Sequence, residues 1–171
     1  MNLANFAYQA GMSFLIYGLL ARWYVWPFIL RQNKETSITI LLLPFLLRQV
    51  GGTHLAPTVI PVPASYPLAW AILIGDLLCL LCALVTIASL RSFPKWAMAL
   101  AWLFSAIDVI DYVVIAVWGV ADRAYDHLYA HWYVACYYDP LLGVLQVLLT
   151  MVLVKREWPG RATPILAPQT A

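Results

Sequence analysis

Five long apolar stretches alternate with short polar or proline-rich segments along the chain. A helix needs about 20 mostly apolar residues to cross a bilayer, and each stretch reaches that length. The pattern therefore predicts five transmembrane helices, over residues 5–28, 36–55, 67–90, 94–120 and 131–154. Pro44 and the neighbouring glycines Gly51 and Gly52 interrupt the second stretch. Both residue types weaken a helix, so we expect this span to be kinked or broken.

Composition agrees with a membrane location. The chain of 171 residues is 64% apolar and 11% charged, whereas soluble domains are about 45–50% apolar and about 25% charged. The predicted fold class is therefore all-α, a single integral membrane bundle whose outer surface contacts lipid. The net charge of +2 is small and dispersed. Nucleic-acid binding requires a clustered basic face, so that class of function is excluded.

Basic residues are concentrated in the segments that five spans place on one side of the membrane. Only Arg123 falls in a loop on the other side. Short loops rich in lysine and arginine mark the cytoplasmic side. We therefore expect an outside N-terminus and a cytoplasmic tail over residues 158–171. The basic residues assigned to the cytoplasmic side are Arg31, Lys34, Arg91, Lys95, Lys155, Arg156 and Arg161.

Five ionisable side chains lie well inside the predicted spans, and each needs a physical reason, because burying one near the bilayer centre costs about 2.5–3.5 kcal/mol. A rise of about 1.5 Å per residue places all of them in one layer at middle to outer depth. Four carboxylates and one guanidinium would carry a net charge of minus three, which protonation or a bound cation would compensate. These residues are Arg48, Asp76, Asp108, Asp111 and Asp139.

Helical periodicity groups further polar residues with this layer, because residues three, four and seven apart share a face. In the last span, such a polar face is formed by Asp139, Gly143, Gln146 and Thr150. If these faces turn inward, they surround an acid-lined cavity in the outer half of the bilayer. The structural alternative is that Arg48 pairs with one aspartate while the other acids are protonated and hydrogen-bond between helices. The candidate ligand-binding residues are Arg48, Asp76, Asp108, Asp111, Tyr112, Asp139 and Gln146.

The three histidines His54, His127 and His131 fall in outer loops or at outer span ends. His127 and His131 have the i, i+4 spacing with which two imidazoles on one helix can share a metal ion. Solvated histidines are also common in such loops. These residues are weak metal-ligand candidates, and we expect no bound metal. No motif identifies a cofactor or a catalytic residue.

The segment from residue 41 to 90 resembles a group of small bacterial membrane proteins without assigned activity. The resemblance implies a location in a bacterial inner membrane. In that group a proline and an arginine in the second span precede a glycine, and a Gly-Asp pair marks the third span. The corresponding residues are Pro44, Arg48, Gly51, Gly75 and Asp76.

More distantly, residues 67–157 resemble the EXPERA group of sterol isomerases and sigma-2-type receptors. The shared features are a Pro-x-x-Trp start, an acid in that span, and a tyrosine and a proline in the last span. The resemblance implies a membrane cavity lined by acids that binds sterols or cationic amphiphiles. The residues that carry it are Pro67, Trp70, Asp76, Tyr138 and Pro140.

Two functional hypotheses follow. In the first, the cavity binds a small lipophilic or cationic molecule, and isomerase or transport activity is an open extension. Asp76, Asp108 and Asp111 would then supply carboxylates, Arg48 a counter-ion and Asp139 a second layer of acid. In the second, the chain is a non-catalytic accessory subunit whose polar faces pair with a partner in a larger membrane complex. The pattern leaves open whether the chain is an enzyme and whether it forms a homo-oligomer.

Overall fold

The computed structural model describes residues 3–56, 58 and 65–155. All regular elements in this part are helical, and five helices are long and apolar enough to cross a membrane. For these residues, the prediction of an all-helical fold with five such helices is confirmed. We name them α1 to α5, and their bounds are Leu3–Ile29, Lys34–Leu55, Tyr66–Ser92, Pro94–Ala121 and Tyr129–Val154. The predicted tail over residues 158–171, with Arg156 before it, lies outside the described residues.

Helix α2 changes its geometry at Pro44, where the sequence indicates a kink or break. Its first part, Lys34–Leu42, is α-helical, and its second part, Leu43–Leu55, is a 3₁₀-helix. A 3₁₀-helix has three residues per turn, so every third side chain lies on the same face. Accordingly, Phe45, Arg48 and Gly51 form one row, and they are the buried residues of this segment.

Two prolines widen the helices that contain them. Helix α1 has a π-helical turn at Ala21–Val25, just before Pro27, and α5 has one at Val134–Tyr138, just before Pro140. Proline has no backbone N–H, so the carbonyl one turn earlier lacks its usual donor and the turn relaxes to a wider form. The second π turn ends immediately before Asp139 and therefore sets the direction in which that side chain projects.

The helices form an up-and-down bundle in which α3 packs between α2 and α4, while α5 contacts α1, α2 and α4. Hydrogen bonds join the helices at both ends. At the C-terminal end, where α5 finishes, Lys34 Nζ donates to the Lys155 carbonyl at 2.8 Å. At the N-terminal end, where α1 starts, Trp132 Nε1 donates to Gln9 Oε1 at 2.7 Å. Lys34 and Lys155 therefore mark one end of the bundle, and Gln9 and Trp132 mark the other.

Apolar side chains fill the C-terminal half of the bundle. Phe45 of α2 and Phe104 of α4 are fully buried there and meet edge to face, with ring centroids 4.9 Å apart. Leu142, Leu149 and other large aliphatic residues complete this core. Large hydrophobic side chains also cover the outer surface of the bundle. Such a surface is compatible with a multi-pass membrane protein.

Candidate functional site

Arg48 of α2 is the centre of a buried ionic cluster. Its side chain is 5% exposed and donates hydrogen bonds to three carboxylates. Nε donates to Asp76 Oδ1 at 2.6 Å, Nη1 to Asp108 Oδ1, and Nη2 to Asp111 Oδ2 at 2.8 Å. The planar guanidinium suits this role because its five N–H groups point outward in a fixed fork. We call these four residues the Arg48 cluster.

The Arg48 cluster is not electrically balanced. One guanidinium faces three carboxylates, so the fully ionised cluster would carry a formal charge of minus two. Charges interact strongly inside a protein, and an uncompensated buried charge is costly. Asp108 is fully buried, and its second oxygen, Oδ2, has no hydrogen-bond partner in the described part of the chain. Protons or a cation must therefore compensate part of this charge.

Two glycines make room for the carboxylates. A Cβ atom at Gly51 would overlap Asp76 Oδ2, and a Cβ atom at Gly75 would overlap Asp111 Oδ1. Gly75 thus clears space for an acid from the next helix, while its neighbour Asp76 binds Arg48. Asp76 and Asp111 can therefore occupy their positions beside Arg48 because these two positions lack side chains. This geometry explains why an arginine precedes a glycine in α2 and a Gly-Asp pair follows in α3.

A cavity of about 270 Å³ lies beside the Arg48 cluster in the N-terminal half of the bundle. Residues of all five helices and of the connection between α4 and α5 line it, and most of them are apolar. Apart from Tyr125 of the connection, the polar lining residues form two groups along the bundle axis. The first group is Arg48, Asp76, Tyr112, Tyr138 and Asp139, and the second consists of His54 and His131.

Asp139 differs from the other acids of the site. It lines the cavity, yet its carboxylate has no hydrogen bond or ion pair to any residue that the structure describes. Only its backbone carbonyl is engaged, accepting a hydrogen bond from the Tyr112 hydroxyl. The Tyr138 hydroxyl similarly donates to the Pro44 carbonyl at 2.7 Å. The two tyrosines therefore fix α5 against α4 and α2 through backbone carbonyls and do not engage the Asp139 carboxylate.

The structure separates the other predicted site residues from the cavity lining. Asp108 and Asp111 contact Arg48 but are not among the residues that line the cavity. Gln146 lies further toward the C-terminal end, where its Nε2 donates to the Ser105 carbonyl at 3.3 Å. Its own carbonyl oxygen is buried and has no partner in residues 3–56 and 65–155. The polar face predicted for α5 is thus divided between two depths.

The histidines also group differently from the sequence spacing. His127 lies in the connection before α5, whereas His131 lies at the start of α5, so the two residues do not share one continuous helix. His131 instead packs against His54, with ring centroids 4.0 Å apart, and its Nδ1 lies 2.8 Å from Thr53 Oγ1. Across the described ranges, no three His, Cys, Asp or Glu side chains come together as a metal site. The absence of bound metal stays a prediction.

Thr53 and Tyr138 belong to this site, but the candidate residues inferred from the sequence did not include them. A hydroxyl residue next to His54 and a tyrosine next to Asp139 are weak signals in one sequence. Only the packing of α2 against α5 gives them a role, because each makes a hydrogen bond between these two helices.

Comparison with known proteins identifies the family. The chain belongs to the family described as a domain of unknown function, DUF8737, whose model matches residues 5–154. No curated protein and no solved structure matches the chain. The family description names no activity, and the relation to the EXPERA group stays a prediction.

Proposed function

We propose that this protein is a multi-pass membrane protein whose cavity binds a small lipophilic molecule carrying a cationic group. The observation that carries the proposal is the cavity itself. Its walls are mostly apolar, and two carboxylates, those of Asp76 and Asp139, line it near Arg48. Small-molecule sites typically combine apolar walls with a few convergent polar groups. Ionisable residues within a membrane also mark functional sites by default.

The charge of the cavity favours a cation over an anion. All three nitrogens of the Arg48 side chain donate to carboxylates, so an incoming anion would have to displace an aspartate. The carboxylate of Asp139, in contrast, has no partner among the described side chains and lines the cavity. A cationic group placed there would compensate one of the excess negative charges.

Each residue then has a distinct role. Asp139 contacts the cationic group, and Asp76 lies beside it as both a lining residue and an Arg48 partner. Asp108 and Asp111 accept hydrogen bonds from the guanidinium but do not line the cavity. Ile72 and Ile115 contribute to the apolar walls that would contact the lipophilic part of the ligand.

We also propose that the N-terminus faces the outside and the C-terminus the cytoplasm of a bacterial inner membrane. Arg31, Lys34, Arg91 and Lys155 lie at the C-terminal end of the bundle, and Arg123 lies at the opposite end. Basic residues of short loops stay on the cytoplasmic side during insertion. A reporter enzyme that works only in the cytoplasm should therefore be active when it is fused to the C-terminus. Activity of a reporter that works only in the periplasm would refute this orientation.

Binding can be tested with three probes that share one alkyl chain. The protein is reconstituted in lipid nanodiscs and titrated with octylammonium, octanol or octanoate, and its thermal unfolding is followed. We expect octylammonium to raise the melting temperature most, and Asp139→Asn to remove this preference while the response to octanol persists. Asp126→Asn is the matched control, because Asp126 pairs with Arg123 in the connection rather than lining the cavity.

Two outcomes would contradict the proposal. If none of the three probes affects the wild-type protein, the cavity does not bind lipophilic molecules. If octanoate stabilises it most, the site is selective for anions. Native mass spectrometry of the solubilised protein then tests the accessory-subunit hypothesis, which requires a partner protein at a fixed ratio.

A further inference from the structure

Two imidazoles lie at the end of the cavity remote from the Arg48 cluster. His54 comes from the end of α2 and His131 from the start of α5, and both line the cavity. His131 is only 4% exposed. The cation site at Asp139 does not use either ring. Their role therefore needs a separate argument.

The hydrogen bonds around Thr53 determine which nitrogen of His131 carries the proton. Thr53 Oγ1 lies 2.6 Å from the Val50 carbonyl oxygen and 2.8 Å from His131 Nδ1. A carbonyl oxygen can only accept, and a threonine hydroxyl has a single hydrogen to donate. That hydrogen is used toward Val50. Thr53 Oγ1 must therefore accept from His131, so Nδ1 carries a proton.

A neutral imidazole has a proton on one ring nitrogen only. With the proton on Nδ1, Nε2 of His131 keeps its lone pair. No residue in the described part of the chain bonds to Nε2, and the ring lines the cavity. We propose that His131 Nε2 is a fixed hydrogen-bond acceptor for a hydroxyl or N–H group of the ligand. This inference rests on the proposed function, because it describes the other end of the same ligand.

Helix geometry gives the separation of the two polar ends. From Arg48 to His54 the 3₁₀ segment advances by two turns, which corresponds to roughly 12 Å at about 2.0 Å per residue. From His131 to Asp139 there are eight residues, which corresponds to roughly 12 Å at the α-helical rise of about 1.5 Å per residue and to slightly less across the π turn at Val134–Tyr138. The ligand class is therefore an elongated molecule with a cationic group at one end, an apolar middle, and a hydrogen-bond donor about 12 Å away.

The first experiment measures the tautomer without any ligand. The protein is labelled with ¹⁵N-histidine, and because the chain contains only three histidines the ring signals can be assigned by substitution. We expect the His131 signals to show a protonated Nδ1 and an unprotonated Nε2. Thr53→Val removes the acceptor and should allow the other tautomer to appear. A proton on Nε2 of His131 in the wild-type protein would overturn the inference.

The second experiment measures recognition. The probe is 8-aminooctan-1-ol, compared with its methyl ether, 8-methoxyoctylamine, which keeps the amine and the chain but has no hydroxyl donor. We expect the wild-type protein to bind the alcohol about tenfold more tightly, as one hydrogen bond in a protected site would give. His131→Phe should remove the difference, and Thr53→Val should reduce it. His127→Phe is the matched control, since His127 does not line the cavity.

The outcomes separate this inference from the proposed function. If both amines bind equally and both lose affinity in Asp139→Asn, the cation site stands and the acceptor role of His131 is wrong. If neither amine binds, the proposed function itself fails. If the alcohol is preferred but the preference persists in His131→Phe, the donor is recognised by another residue and the inference is again wrong.

Discussion

Replacement of Asp76 should have opposite effects on stability depending on whether Arg48 is present. In the wild-type protein, Asp76→Asn weakens a buried hydrogen bond to the guanidinium. In an Arg48→Met background, the same change removes one of three carboxylates that have lost their common partner. We therefore expect Asp76→Asn to lower the free energy of unfolding in the first case and to raise it in the second.

The magnitudes follow from the number of bonds in the cluster. A hydrogen bond to a charged group contributes about 1.5–3 kcal/mol, and Asp76→Asn also reduces the formal excess charge from minus two to minus one. Its cost should therefore stay below about 3 kcal/mol. Arg48→Met removes the partner of three carboxylates at once, so its cost should reach or exceed the about 3–5 kcal/mol seen when a buried ion pair is broken.

A double-mutant cycle measures this reversal. The four proteins are wild type, Asp76→Asn, Arg48→Met and the double variant, and thermal unfolding is recorded in one mild detergent. A loss of 3–5 kcal/mol corresponds to a melting temperature lowered by roughly 10 °C for a chain of this size. The control cycle uses Arg123→Met and Asp126→Asn, because Arg123 is exposed and its pairing with the partly buried Asp126 should contribute about 1 kcal/mol or less.

The reasoning is refuted if the losses in free energy of unfolding of Asp76→Asn and Arg48→Met simply add in the double variant. Additive losses would mean that Asp76 is already neutral and contributes an ordinary hydrogen bond. Repeating the cycle with Asp108 and with Asp111 then shows which carboxylate carries the charge. If none of the three couples to the arginine, the ionic description of the cluster fails.

Three further predictions concern packing and metal. Gly51→Ala and Gly75→Ala should each lower the free energy of unfolding by about 1–3 kcal/mol through overpacking. Gly18 has open space around it in α1, so Gly18→Ala should raise this free energy by up to about 1 kcal/mol. Equal effects of the three substitutions on unfolding in detergent would contradict the assigned contacts. Phe104→Ala should cost about 3–5 kcal/mol in the same unfolding assay, and a loss below about 1 kcal/mol would show that the core of the C-terminal half is not closely packed. Elemental analysis of the purified protein should show no stoichiometric zinc, and one equivalent that is lost in His131→Ala would reverse this expectation.

The number of helices could be predicted from the sequence because the bilayer imposes a minimum apolar length. The layer of ionisable residues could also be predicted, since counting the helical rise places Arg48 and Asp76 at similar depth in consecutive helices. Their pairing follows from the cost of leaving either charge unpartnered. The convergence of three acids on one arginine could not be predicted, because it depends on the rotation of each helix about its axis.

The 3₁₀ geometry of α2 is one reason why this convergence could not be predicted. In an α-helix, residues three apart are separated by about 60° around the axis, so Arg48 and Gly51 would face different neighbours. In the 3₁₀ segment they share one face. The apolar and small residues Leu42, Phe45 and Gly51 do recur with this period. Long 3₁₀ runs are uncommon, so the period of three alone is a weak argument against an ordinary α-helix.

The predicted polar face of α5 shows a second limit of sequence patterns. Asp139 and Gln146 are seven residues apart and share a face, as expected. Two helical turns also separate them by roughly 10 Å along the axis. One residue lines the cavity and the other bonds to Ser105 in the closely packed half. Periodicity indicates the direction of a side chain, but the partners at each depth are supplied by other helices.

The row of residues on the 3₁₀ face connects the parts of the molecule. Phe45 packs against Phe104 in the apolar core, Arg48 holds the carboxylates, Gly51 makes room for Asp76, and His54 contacts His131 at the end of the cavity. A shift of one residue in this segment would rotate the row by about 120° and remove all four contacts together. The register of α2 therefore determines the core, the ionic cluster and the cavity at the same time.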